Sequence, residues 1–162
     1  MRSYRATIAK ELQLAAQGKQ YVAHTTDLAV SDGASIGMVV KTGSKDLLLE
    51  FKLAVGGDAR LRFLEEPSTM TASTATTFFN SNRVRATSCP ATTTLGASPA
   101  FTAGSILTDQ FIPGGEQYAQ GGAAEDLNAW FLDANATYIV AACNKSGGAA
   151  EMSLIVKGWE DW

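Results

Sequence analysis

The sequence predicts a mainly β fold, an antiparallel β-sandwich or jelly roll with a short N-terminal helix or arm. Three observations carry this expectation. Apolar runs of strand length recur along most of the chain, turn-forming Gly, Asp and Asn clusters separate them, and helical spacing is confined to the N-terminal end. About eight short strands at such spacing fit two packed antiparallel sheets better than a βα alternation. With 162 residues, the chain is read as an N-terminal helix or arm over 1–18 followed by one β-sandwich domain over 19–162.

From Ser3 to Gln17, the residues Ile8, Leu12, Ala15 and Ala16 fall at helical spacing, Ser3 is placed as a cap, and Gly18 stands where a left-handed stop residue belongs. Strands follow at Tyr21–His24, Ile36–Val40, Leu47–Val55 and Arg60–Leu64. The Leu47–Val55 run, the turn Gly56-Gly57-Asp58 and the alternating Arg60-Leu61-Arg62-Phe63 predict a hairpin with one wet face. Residues 67–105 are rich in Ser, Thr, Ala and Gly, with Pro90 and Pro99, and predict long irregular connections. Strands return at Leu127–Leu132, Thr137–Cys143 and Met152–Trp159. Tyr138-Ile139-Val140 with Leu154-Ile155-Val156 is expected to form a final hairpin at the centre of the sheet. The expected core contains Val40, Leu48, Phe51, Trp130, Tyr138, Val140 and Ile155.

Composition narrows the function classes. Apolar residues make up 46% and charged residues 18%, too apolar for intrinsic disorder, yet no apolar run reaches the ~20 residues of a membrane span. No membrane association is expected. The first 18 residues carry Arg2, Arg5, Lys10 and Glu11 and lack the apolar stretch of a signal peptide, so no export by that route is expected. The net charge is −3, unevenly laid out: residues 1–62 hold nine bases against six acids, whereas residues 86–144 hold five acids and no base. Such polarity suits docking between like subunits or onto an oppositely charged shell, and argues against a nucleic-acid footprint.

The residues that often carry chemistry are scattered. Cys89, Cys143 and His24 are too few for a zinc site, and the cysteines are expected to remain reduced, without a disulfide. The Gly pairs at 56–57, 114–115, 121–122 and 147–148 lack phosphate-loop spacing and are read as turns. His24, late in its strand, is read as a surface or loop histidine rather than a general base. The adjacent acids Glu65-Glu66, Glu125-Asp126 and Glu160-Asp161 point to opposite faces if they lie in strands. Asp109, Glu116, Asp126 and Asp133, in the base-free region, are a somewhat better candidate, for calcium, though no Asp-rich loop motif is present. Asn135 and Asn144 match the glycosylation acceptor but are read as turn residues. Trp130, Phe131, Tyr138 and Trp159 are assigned to core packing in preference to a sugar-stacking shelf. The reading calls for no catalytic residue, no cofactor and no metal.

Three stretches carry a resemblance. Ser3-Tyr4-Arg5 with Glu11 to Lys19, then Asn80-Ser81-Asn82-Arg83, then Asn135 to Tyr138 through Trp159-Glu160, resemble small virion structural proteins of tailed bacteriophages. The resemblance implies a β-sandwich head decoration or cement protein, non-enzymatic, located on the capsid surface of the virion and assembled in the host cytoplasm. It also implies a homo-oligomer, a trimer, whose partner is the major capsid protein. The N-terminal segment is assigned to capsid docking through Arg2, Tyr4, Arg5, Ile8 and Leu12, since a narrow apolar stripe needs a surface to lie on. That surface is either the shell or the chain's own sandwich. The alternative function is a receptor- or glycan-binding tail module of jelly-roll fold, with Tyr118, Glu116 and Asp109 around a shallow groove.

Overall fold

β-Branched and aromatic residues at alternate positions suit a pleated surface buried on one side, and in this chain they build two antiparallel sheets packed face to face. The computed structural model describes residues 12–67, 69–71, 74–76, 78–82, 84, 92–97, 100–102, 104–114 and 130–160. The strands are β1 (Gln20–Val30), β2 (Ser35–Lys41), β3 (Leu47–Val55), β4 (Ala59–Glu65), β5 (Thr69–Thr71), β6 (Thr74–Thr76), β7 (Phe79–Asn80), β8 (Thr92–Ala97), β9 (Ala100–Thr102), β10 (Ser105–Ile112), β11 (Trp130–Leu132), β12 (Thr137–Asn144) and β13 (Ala150–Glu160). The first sheet has the order β11-β3-β13-β1-β7 and the second β10-β4-β12-β2-β8-β6, while β5 and β9 pair separately. The β-sandwich expectation holds.

Both predicted hairpins are corrected. β3 lies in the first sheet and β4 in the second, and likewise β13 lies in the first and β12 in the second. The chain changes sheet at each step from β1 to β4 and again from β11 to β13. A three-residue Gly-Gly-Asp link serves a sheet-to-sheet corner as well as a hairpin, and alternation along each strand is the same in both. What fixes the corner is its neighbours: Gly56 N donates to Glu151 O (2.8 Å), and Lys145 N donates to Asp58 O (2.8 Å). A Cβ on Gly57 would stand 2.6 Å from the Ser146 Cβ, so only glycine fits this close approach. β12 and β13 are nevertheless each third in their sheets, flanked on both sides as expected of central strands.

The inward rows meet in one core. Met38 and Val40 of β2, Leu49, Phe51 and Leu53 of β3, Leu61 and Phe63 of β4, Tyr138 and Val140 of β12, and Leu154 and Val156 of β13 are all buried there. Phe63 is the hub of an aromatic group, with ring centroids 5.3 Å from Phe51, 5.3 Å from Trp130 and 5.8 Å from a stacked Tyr138. Of the expected core, Val40, Phe51, Tyr138 and Val140 belong to it, and Trp130 is half-buried against it. Leu48 is buried elsewhere, on the outer face of the first sheet. Ile155 is a correction: it alternates with the inward Leu154 and Val156, so it faces out and remains 37% exposed.

Two further boundaries differ. β1 extends beyond His24 to Val30 through the polar Thr25-Thr26-Asp27, which strand-forming apolar residues do not signal; His24 is mid-strand and exposed. A register shift follows Asp27, whose Oδ1 accepts from Ala29 N (2.9 Å). The expected irregular stretch 67–105 instead contains several short strands, and Thr92-Thr93-Thr94 lies in β8, paired with both β2 and β6. β-Branched threonine tolerates the pleat well enough to fill such a strand. Pro90 and Pro99 lie outside the described residues.

The Tyr138 phenol sits at the rim of the core, its hydroxyl accepting from Asp133 N (3.1 Å) and donating to Glu65 Oε1 (3.1 Å). Burial, with the hydrogen bond to Glu65 and the nearby carboxylates, pushes its pKa up to about 12 despite the opposing Asp133 amide. A raised phenol pKa stabilises the fold fully below the unfolded value near 10 and is lost as pH climbs through the folded value. Absorbance titration at alkaline pH is expected to show one late phenol that Tyr138→Phe removes. Stability of the parent chain should fall over the same window, more steeply than that of the variant. A titration without a late component would refute this environment.

Candidate docking site on the first sheet

The N-terminal segment reaches the sandwich through a helix stop. Residues 12–16 are helical, and Gly18, with φ of 75°, ends the helix in the left-handed conformation expected from the sequence. Lys19 N donates to Leu14 O (2.8 Å) and Gly18 N to Ala15 O (3.0 Å), the paired bonds of a Schellman stop. The turn after β7 then satisfies the remaining carbonyls. Asn82 Nδ2 donates to Ala16 O (2.8 Å), and the buried Asn80 Nδ2 to Gly18 O (2.7 Å). Each asparagine also accepts from the backbone two residues on, Asn80 Oδ1 from Asn82 N (2.8 Å) and Asn82 Oδ1 from Val84 N (3.1 Å), so both turns are self-braced. Ser81 N to Gln20 O (2.9 Å) and Glu160 N to Lys19 O (3.1 Å) close the junction.

Leu14 of this segment lies on Leu48 and Trp159, forming a small buried cluster on the outer face of the first sheet. The buried helix position is therefore Leu14. Of the predicted stripe of Ile8, Leu12 and Ala15, Leu12 does not lie on the chain's own sandwich, being 67% exposed, and Ala15 is half-buried. Asn82 holds Ala16 O at the end of the short helix and Asn80 holds Gly18 O just beyond it, and with these ends fixed Leu14 is the residue that faces the sheet. Arg2, Tyr4, Arg5 and Ile8 lie outside the described residues. Around the cluster other large apolar groups stay in water. Phe131, cross-strand from Leu48, is 70% exposed, and Phe79, beside Asn80 on the edge strand β7, is 52% exposed. The two phenylalanines stand on opposite edge strands of the sheet, β11 and β7, and Leu12 is exposed on the helix.

The four strand aromatics separate accordingly. Tyr138 and Trp159 are buried and Trp130 half-buried, as assigned, whereas Phe131 faces solvent. Asn135 is a left-handed turn residue (φ 58°) and Asn144 is buried. Glu65 and Glu66 serve different partners, the Tyr138 hydroxyl and Thr137 N, and so form no carboxylate pair. Glu116, Tyr118, Glu125, Asp126, Asp161 and Cys89 lie outside the described residues, and Cys143 is a free thiol. Among the described residues no group of three or more His, Cys, Asp or Glu is placed to hold a metal ion.

Asp109 lies instead in a charged cluster on the outer face of the second sheet. Its carboxylate accepts from Arg60 Nε (2.7 Å) and Arg60 Nη2 (2.6 Å), and lies 3.6 Å from Arg62 Nε. These bonds from Arg60 hold the carboxyl below the usual carboxylate range and raise the arginine in turn.

No protein-family model matches the chain, and no curated protein or solved structure matches it significantly.

Proposed function

We propose that the chain is a non-enzymatic virion structural protein that decorates or cements the exterior of a bacteriophage capsid. Its partner is the major capsid protein, and it acts as a homo-oligomer, a trimer. One observation supports the reading above the others: parts of the three stretches that resemble phage virion proteins, around Leu14 to Lys19, Asn80 to Asn82 and Trp159-Glu160, meet in space. Ala16 and Gly18 bond Asn80 and Asn82, Lys19 bonds Glu160, and Leu14 lies on Trp159. Residues far apart in the chain are thus used together on the first sheet, which also exposes Phe131 on one edge strand and Phe79 on the opposite one. A cementing protein works through contacts of this kind, individually weak and multiplied by the symmetry of the shell.

The test is sedimentation of the purified protein with phage heads that lack accessory proteins and, separately, with host cells. The expected result is recovery with heads, reduced about tenfold or more by Phe131→Glu and Leu12→Glu, whose exposed positions leave the fold intact. Recovery with whole cells and not with heads would overturn the proposal in favour of a receptor-binding module.

A further inference from the structure

We propose that the outer face of the second sheet carries a binding site for a phosphate-class oxyanion, built by Arg62 and Lys145 around the Cys143 thiol. A cavity of about 160 Å³ opens there, lined by Ser35, Arg60, Arg62, Ala141, Cys143 and Lys145. The register explains the hollow. Across β4, β12 and β2, Arg62 stands beside Ala141 and Gly37, and Arg60 beside Cys143 and Ser35. Small outward groups on two strands thus lie next to two long arginines on the third, which leaves a trough with a cationic wall. Lys145, the residue after Asn144 at the end of β12, adds a third cation from the adjoining loop.

The charges do not cancel within the cluster. Three cations face one carboxylate, Asp109, in a chain whose net charge is −3. Arg60 uses its Nε and Nη2 donors on Asp109. Arg62 shares the same carboxylate, its Nε 3.6 Å from Asp109. One carboxylate shared by two arginines, with Lys145 beside them, leaves the trough a net positive charge. Among the described residues no carboxylate lies within ion-pair distance of Lys145. An isolated positive patch with low-dielectric walls concentrates anions, and a planar guanidinium matches the geometry of a tetrahedral oxyanion.

Cys143 supplies the reporter. Its thiol lies in the trough, half-buried, with Sγ 3.3 Å from Gly33 O. In a Cys89→Ser chain, alkylation by neutral iodoacetamide reads Cys143 alone. Tens of millimolar inorganic phosphate should slow that alkylation about threefold or more, as expected when the site is mostly filled. Chloride at matched ionic strength should not. Arg62→Gln and Lys145→Gln should each abolish the protection while melting as the parent does; the two side chains lie on the outer face, so either variant alone suffices. O-Phosphoserine run beside phosphate separates the sources: protection at lower concentration assigns the site to a phosphate group on a larger molecule, and protection by phosphate alone to the free ion. Equal slowing by chloride, or protection that survives both substitutions, overturns the site.

Discussion

Replacing Asn144 with alanine is expected to cost about 3 kcal/mol and to lower the melting temperature by about 10 °C. The side chain is 1% exposed and every polar atom of its amide is used. Nδ2 donates to Val30 O (2.7 Å) and Gly148 O (2.7 Å), while Oδ1 accepts from Ser146 N (2.9 Å). Its backbone joins the same network, donating to Ala34 O (2.8 Å) and accepting from Gly33 N (3.0 Å). One residue thus ties the β1–β2 loop, the end of β12 and the β12–β13 loop together. Alanine leaves the carbonyl of the buried Val30 without a donor and adds a void. Asn144→Asp should be worse at neutral pH, because a carboxylate would face two carbonyls. A carboxyl so placed has its folded pKa raised, so the variant keeps most stability below the unfolded carboxyl range and loses it as pH rises. Thermal melts followed by near-ultraviolet circular dichroism at acid and neutral pH check both. A neutral Asn144→Ala would show that the loops hold without this amide.

Asn144 also shows what was legible in the sequence. The Asn followed by Lys145-Ser146-Gly147-Gly148 is readable as a turn, since Asn and Gly tolerate the backbone that turns need, and Gly147 has φ of 79°. Its role as a tie is not readable, because Val30 is 114 residues away and no local pattern encodes that partner. The same division runs through the fold. Period-two alternation in β3 and β4 reveals strands and inward faces, but a short loop between two such strands does not say whether the second returns to the same sheet or crosses to the other. Ile155 fails for a related reason: in Leu154-Ile155-Val156 all three residues are apolar, and only the register against β3 decides which face is wet. At the docking site, the Gly18 stop was readable from residue type alone. The choice of Leu14 as anchor depends on Asn80 and Asn82, which lie in a different part of the chain.

Two truncations of the N-terminal segment are expected to separate its two jobs. Removing residues 1–17 takes away Leu14, uncovers the buried Leu48 and Trp159, and deprives Asn82 Nδ2 of its Ala16 acceptor. Loss of one buried leucine with exposure of the surfaces beneath it should cost roughly 2–4 kcal/mol, a fall in melting temperature of about 5–15 °C. The Trp159 indole should enter water, and tryptophan emission should shift to the red. Removing only residues 1–10 keeps Leu14, the Schellman stop and both asparagine bonds, so melting and emission should change less than in the longer truncation. Under the capsid proposal this shorter truncation still loses head binding, because it lacks Arg2, Tyr4, Arg5 and Ile8, and cationic groups of this kind speed association with an acidic shell. Binding by the full chain should accordingly weaken as salt rises. If the longer truncation melts like the full chain, the Leu14 contact contributes nothing to stability. If the shorter one still decorates heads with undiminished affinity, docking resides on the rest of the chain and not in the first ten residues.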